Sequence, residues 1–337
     1  MTVAEMSEWF WGPNAARLPT RDFVEAVQAS QLRVYDGRGR ERKISILSIA
    51  SEFSFMGDGM WQLFLQSMQN ITFAHRDGRQ DHLAAHLVAT VMTLPNGTAD
   101  SCTRVSQPYG TRCVPITCPM FTHENYHYKS PPFYALSFAK IKTILDALTL
   151  GFDVFFLDGD QVFFRNPLPY FMARPDIDVM VSGECQRRDD TIPSDRFPPV
   201  ANNIGVLYFR ARPIVTRAII NWMGWLTNLA HGKRPSLDQS TFGFAMECIS
   251  KDLGTKVMSL SMLAGEAFCQ WCMRGHSPGR GADNMCPTVT VREWVSFHVP
   301  CDGDMNQKAR TMRELLAMYQ RLVGPVHSLS APMATVT

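Results

Sequence analysis

The chain has 337 residues, 45% of them hydrophobic, and a formal net charge of +2. That length suits one large α/β domain with excursions, or two smaller domains. The near-neutral balance, without a long basic or acidic run, offers nothing to a nucleic-acid backbone, and no stretch of about 18 consecutive apolar residues reads as a membrane-spanning helix.

Residues 1–40 read as an N-terminal arm with one helical stretch, 21–31. The first residues carry Glu5 and Glu8 and lack the basic start and continuous apolar segment of a secretory leader. The expectation is a cytoplasmic protein, or one whose anchor lies outside this chain. Asp36-Gly37-Arg38-Gly39 is a turn. Residues 44–50 are β-branched and bounded by polar residues, which predicts a buried strand. Over 60–69, Trp61, Phe64, Leu65 and Met68 recur at helical spacing. Residues 83–92 predict a second strand, ending near Thr93. Strand, helix, strand is the opening of a parallel α/β sheet. Residues 98–129 mix Pro, Gly, Cys and aromatic residues and read as a long surface loop open to disulfide stapling.

Ser130 stands where a helix N-cap belongs, ahead of Pro131 and Pro132. Phe138, Ile141, Leu145 and Leu148 follow on one apolar face, and Gly151 supplies the C-terminal cap. Residues 154–157 are continuously apolar, the mark of a strand buried on both faces. They run straight into Asp158-Gly159-Asp160. Beyond lie a predicted strand at 177–181, a polar loop at 184–199 and a strand at 204–210. Helices follow at 213–229, with Trp222 and Trp225, and at 238–249. An apolar strand over 290–298 ends at His298, a helix spans 310–322, and 326–337 form a tail.

Nine cysteines is an odd number. Cys102, Cys113 and Cys118 lie in the loop-like region, and Cys269, Cys272, Cys286 and Cys301 cluster late. Disulfides fit both groups, structural zinc fits the second, and buried thiols fit either. For Cys269-Gln-Trp-Cys272, a disulfide or free thiols are favoured over zinc. The sequons at Asn70 and Asn96 lean toward a secretory compartment.

Asp158 and Asp160 carry the chemistry. In an extended segment, residues i and i+2 project to the same side, and Gly159 between them lets a ligand approach the backbone. Neighbouring carboxylates repel each other and raise each other's pKa unless a cation relieves them. A hard divalent ion such as Mn2+ or Mg2+ prefers oxygen ligands. Ligands of open α/β sheets bind at the C-terminal ends of strands. An Asp-Gly-Asp turn between strands is the plain alternative, and the apolar runs on either side favour a site.

The run from 151 to 171 joins an apolar strand, Asp158-Gly159-Asp160 and the trailing Arg165-Asn166-Pro167-Leu168-Pro169. It closely resembles the Asp-x-Asp region of nucleotide-diphospho-sugar transferases. The nearest look is to plant and algal relatives that include rhamnogalacturonan xylosyltransferases and extensin arabinosyltransferases. The resemblance extends more weakly from about 44 to 322. It implies a single GT-A-like α/β domain over 41–325, with a Rossmann-type, mostly parallel sheet flanked by helices. It implies a metal-dependent glycosyltransferase moving a sugar from a UDP-sugar donor to a hydroxyl of a glycan or glycoprotein, with retention of configuration. On this resemblance Asp158, Asp160 and His298 hold Mn2+ or Mg2+. Asn203, Asp238 and Gln239 act near the sugar. Lys140, Asp158, Gly159, Gly303 and Lys308 contact the diphosphate, and Ser48, Ile49, Ala50 and Ser51 border the nucleoside. The relatives are usually anchored Golgi enzymes, which implies the Golgi lumen where an anchor lies outside this chain.

Two other readings use the same residues. Asp158 to Val162 also satisfies the Asp-x-Asp-x-Val motif of haloacid-dehalogenase-type phosphatases, with Asp158 as nucleophile and Asp160 as acid/base. That motif normally sits near the start of a chain, and Arg165 to Pro169 is foreign to it. A catalytically weak nucleotide-sugar-binding protein is the other, against which stands the presence of both aspartates.

Overall fold

The computed structural model describes residues 2–12, 19–55, 59–74, 78–93, 97–118, 129–183, 202–252, 255–270, 286, 288–300 and 304–324. In chain order the elements begin α1 (Val3–Trp11), α2 (Arg21–Ser30), β1 (Leu32–Tyr35), β2 (Glu41–Ser51), α3 (Met60–Gln69), β3 (Thr72–Ala74), β4 (Gln80–His82) and β5 (Leu87–Thr93). Next come α4 (Asp100–Ser106), β6 (Arg112–Thr117), α5 (Pro131–Thr149), β7 (Asp153–Leu157), β8 (Gln161–Phe163), α6 (Leu168–Met172), β9 (Val179–Gly183) and β10 (Asn202–Phe209). The chain continues with α7 (Pro213–His231), α8 (Asp238–Ser250), β11 (Lys251–Asp252), β12 (Thr255–Lys256), β13 (Leu260–Met262), β14 (Phe268–Gln270), β15 (Ser296–His298) and α9 (Met305–Val323). Among the described residues no helix is long and apolar enough to cross a membrane.

The central sheet runs β13-β9-β10-β7-β2-β5-β6, with β1 beside β2. Along that path only β10 is antiparallel to its neighbours, β9 and β7. The architecture is therefore the mostly parallel α/β sheet with flanking helices that the sequence leads one to expect. Every residue of β5, β7 and β10 is buried, which requires cover on both faces. Alternation along β7 divides its side chains accordingly. Phe155 and Leu157 join a core with Trp61, Phe64 and Tyr319 from α3 and α9. Val154 and Phe156 join another with Phe138, Trp222 and Met246 from α5, α7 and α8. A separate sheet, β14-β15-β8, adjoins the C-terminal end of β7.

Several elements differ from expectation. The segment expected as an arm with one helical stretch holds a second helix, α1, closed by a capping box in which Thr2 and Glu5 satisfy each other's backbone N–H groups. It packs on α5 and α7. The described part of 98–129 is structured rather than looped: α4 and the sheet strand β6 are tied by the Cys102–Cys113 disulfide, with Cα atoms 6.0 Å apart. Cys269 is bonded to Cys286, while Cys272 and Cys301 lie outside the described residues, as does the polar loop at 184–199. The apolar stretch 290–298 is mostly a 3-10 turn, Thr288–Glu293, with a strand only at Ser296–His298. Its apolar residues Val291, Trp294 and Val295 pack into the core as a turn. The last helix begins early, at Met305, because Asp304 caps it by accepting the Gln307 N–H. Ser130 sits at the N-cap of α5, but its hydroxyl makes no cap hydrogen bond. Gly151, at φ 84°, ends that helix in the left-handed conformation glycine favours.

At the N-terminal end of β7, buried Asp153 gathers three strands. It accepts hydrogen bonds from Arg42 on β2, from the Tyr208 hydroxyl on β10 at 2.7 Å and from the Ala211 N–H at 2.7 Å. Buried Arg210 lies beside it and donates to the carbonyls of Ile177 and Arg174.

Candidate active site

At the other end of β7 the chain leaves the central sheet through Asp158, turns at Gly159 and enters the small sheet after Asp160. Backbone bonds set this turn. The Asp158 N–H and the Gln161 side-chain amide both donate to the Gly205 carbonyl, at 2.9 and 2.5 Å. The Val299 N–H donates to the Asp160 carbonyl at 2.9 Å. His298 stands opposite Gln161 in the β15–β8 register, and its Nε2 lies 2.9 Å from Asp160 Oδ1. Lys308, from the first turn of α9, donates to Asp160 Oδ2 at 2.6 Å. One ligand atom each from Asp158, Asp160 and His298 lie within 4.8 Å of one another. The imidazole that the family resemblance groups with the two carboxylates lies beside Asp160.

A second group adjoins the first. Lys140 on α5 is buried, with its ammonium 3.0 Å from Asp158 Oδ1 and 3.4 Å from Asp238 Oδ2. Asp238, the first residue of α8, accepts from Ser137 at 3.0 Å and from the Gln239 N–H at 3.0 Å. Three carboxylates (Asp158, Asp160, Asp238) thus face two ammonium groups (Lys140, Lys308).

The protonation states follow from the neighbours. Burial alone would lower the Lys140 pKa, but Asp158 and Asp238 reverse this and hold it above the ordinary lysine range. Burial alone would raise the Asp160 pKa. Lys308 and His298 outweigh it and hold the carboxyl well below the usual carboxylate range. Because the folded value is depressed, Asp160 contributes stability above its unfolded pKa of about 3.9. That contribution is lost as the pH falls toward the folded value.

The donor set fits a hard divalent ion. Two carboxylates and an imidazole suit the Mg2+ and Mn2+ class, and His298 Nδ1 is buried without a hydrogen-bond partner among the described residues. Room for that imidazole comes from Gly205. A Cβ at this position would lie 2.2 Å from His298 Cε1. Gly205→Ala is accordingly expected to displace the imidazole or the strand and to weaken Mn2+ binding at least about tenfold, measured by electron paramagnetic resonance titration of free Mn2+. Unchanged affinity would show that His298 does not contribute to the ion site.

The remaining candidates fall as follows. Ser48 on β2 pairs with Leu157, so Ile49, Ala50 and Ser51 continue along the same edge beside Asp158. The buried Ser48 hydroxyl has no hydrogen-bond partner among the described residues. Asn203 is buried on β10, where the register with β9 slips, and its carboxamide oxygen accepts the Gly205 N–H. Gln239 is half-buried next to Asp238. Gly303 lies outside the described residues. Sequence reasoning passed over Ser137, Gln161 and the space-making role of Gly205. Ser137, one helical turn before Lys140, and Gln161, polar within an apolar run, were the available signals.

A family model described as nucleotide-diphospho-sugar transferase matches residues 90–312, a span containing every candidate above except Ser48 to Ser51. An arabinosyltransferase of Arabidopsis thaliana is 29% identical over 131 residues, 38% of this chain, and the match spans 19% of that protein's length. The apo form of mouse xyloside xylosyltransferase 1 is similar with a TM-score of 0.45 and 13% identity, over 77% of this chain and 99% of that one. A Streptococcus pneumoniae glycosyltransferase gives a TM-score of 0.38 and 14% identity, over 67% of this chain and 47% of that one.

Proposed function

Because the chain belongs to the nucleotide-diphospho-sugar transferase family, we propose that it is a metal-dependent glycosyltransferase. It moves a sugar from a UDP-sugar donor to a hydroxyl of a glycan or glycoprotein, with retention of configuration. The observation that carries this reading is the meeting of Asp158, Asp160 and His298 within 4.8 Å at the C-terminal end of a buried strand. When bound, Mn2+ or Mg2+ supplies positive charge against the diphosphate as it departs.

The protein's own residues do the rest. Ser48 to Ser51 border the nucleoside. Lys308 rests on Asp160 and is within reach to add positive charge beside the phosphates. Lys140 holds Asp158 and Asp238 at a fixed spacing, so the ion site and the sugar-binding residues Asp238 and Gln239 are set by one side chain. Asp238 is committed to Lys140 and Ser137 rather than standing free as a nucleophile. That favours attack from the face the diphosphate leaves. The anomeric carbon–oxygen bond to phosphate breaks, the acceptor oxygen bonds to that carbon, and the acceptor proton passes to the departing phosphate oxygen. The two disulfides among the described residues suit an oxidising compartment, which supports the Golgi lumen.

The test is a thermal-shift screen of UDP-sugars with and without Mn2+, followed by donor turnover. EDTA treatment is expected to abolish UDP release from the best donor, and Mn2+ to restore it. Turnover that persists in EDTA, or hydrolysis of a generic phosphate ester with none of any UDP-sugar, would replace this reading.

A further inference from the structure

Trp61, in the first turn of α3, is fully buried behind the Asp158-Gly159-Asp160 turn. Its six-membered ring occupies the space a side chain on Gly159 would need. A Cβ there would lie 2.9 Å from both Cε3 and Cζ3. Gly159 has no left-handed backbone to account for its identity, so the ring itself is what excludes a larger residue.

The indole is held from three sides. Phe55 meets it edge-on with centroids 5.3 Å apart, and Phe64 lies at 5.2 Å. Its Nε1 donates to the buried Ser106 hydroxyl at 2.9 Å, at the end of α4. Ser106 in turn lies 3.7 Å from Cys102 Sγ, and Cys102 is bonded to Cys113 on β6. Two turns along the same helix, Ser67 accepts the Phe163 N–H of β8 at 3.0 Å. Helix α3 therefore grips the chain at the turn and again just beyond it.

We propose that Trp61 is a positioning residue for the ion-binding turn. Its ring restricts Gly159 to the path that points both carboxylates toward His298, and the Cys102–Cys113 disulfide fixes the ring through Ser106. This rests on the functional reading above, in which that turn holds a divalent ion. A tryptophan that merely filled the core would affect stability without affecting how a change at Gly159 is felt.

Mn2+ affinity, by paramagnetic resonance titration, and the thermal unfolding midpoint separate the two roles in the wild type, Gly159→Ala, Trp61→Leu, the double variant and Ser106→Ala. Gly159→Ala is expected to weaken Mn2+ binding about tenfold or more alone, and less than about threefold once Trp61→Leu has removed the opposing ring. Ser106→Ala, which leaves the core filled, is expected to weaken it about threefold or more. An equal penalty for Gly159→Ala in both backgrounds overturns the inference. Should Trp61→Leu not fold, wild-type Mn2+ affinity in Ser106→Ala overturns it. A wild-type chain that binds no Mn2+ overturns the functional reading and this inference with it, whereas a binding wild type with additive penalties overturns this inference alone.

Discussion

Asp160→Asn is expected to lower donor turnover at least about 10³-fold, with Mn2+ affinity falling in parallel and the circular-dichroism spectrum unchanged. Asparagine nearly matches aspartate in shape, so the change removes charge more than volume. Asp160 is the carboxylate that both His298 and Lys308 touch, and its side chain is only 14% exposed. Solvent therefore does little to replace the lost negative charge. Lys308 loses its anionic partner at Asp160, which adds unfavourable positive charge where an ion is to bind. Asp158 cannot take over, since it is already one of the three groups that offer a ligand atom. Turnover within tenfold of wild type, measured as UDP release under saturating Mn2+, would remove Asp160 from the machinery.

Asp153→Ala is the change with the largest expected effect on folding, about 3–5 kcal/mol by urea unfolding. It strips the acceptor from Arg42, Tyr208 and the Ala211 N–H together and leaves the nearly inaccessible Arg210 guanidinium without a nearby anion at that position. The replacement creates no compensating contact, so unpaired buried donors dominate. A loss below about 1 kcal/mol would mean that water or a shifted side chain satisfies these groups.

Much of this molecule is legible from residue order, and the reason is local. The strand ending at Leu157 announces itself by four apolar residues in a row, and α3, α5 and α7 by apolar faces with proline or glycine at an end. What stayed hidden depends on contacts distant in sequence. α4 is held partly by a sulfur bond to β6 rather than by a strong apolar stripe, so its composition reads as loop. The stretch before His298 has strand-like composition, yet its apolar side chains are satisfied by core packing from a tight turn. At the site, Asp158 and Asp160 are marked by residue type and spacing, and His298 by the family resemblance. The Lys140 link between Asp158 and Asp238 was not, nor was the accommodation of an imidazole by Gly205, because neither leaves a trace in local pattern.

Asp158 directly follows a strand of the eight-stranded sheet, whereas Asp160 and His298 flank or end strands of the three-stranded one. An ion shared among them would act as a further rivet between two sheets already joined by the 158–160 backbone and the Gln161–Gly205 hydrogen bond. Occupancy would then add to mechanical coherence: the loaded protein would hold the two sheets more stiffly at this seam than the Gln161–Gly205 hydrogen bond and the shared backbone do by themselves.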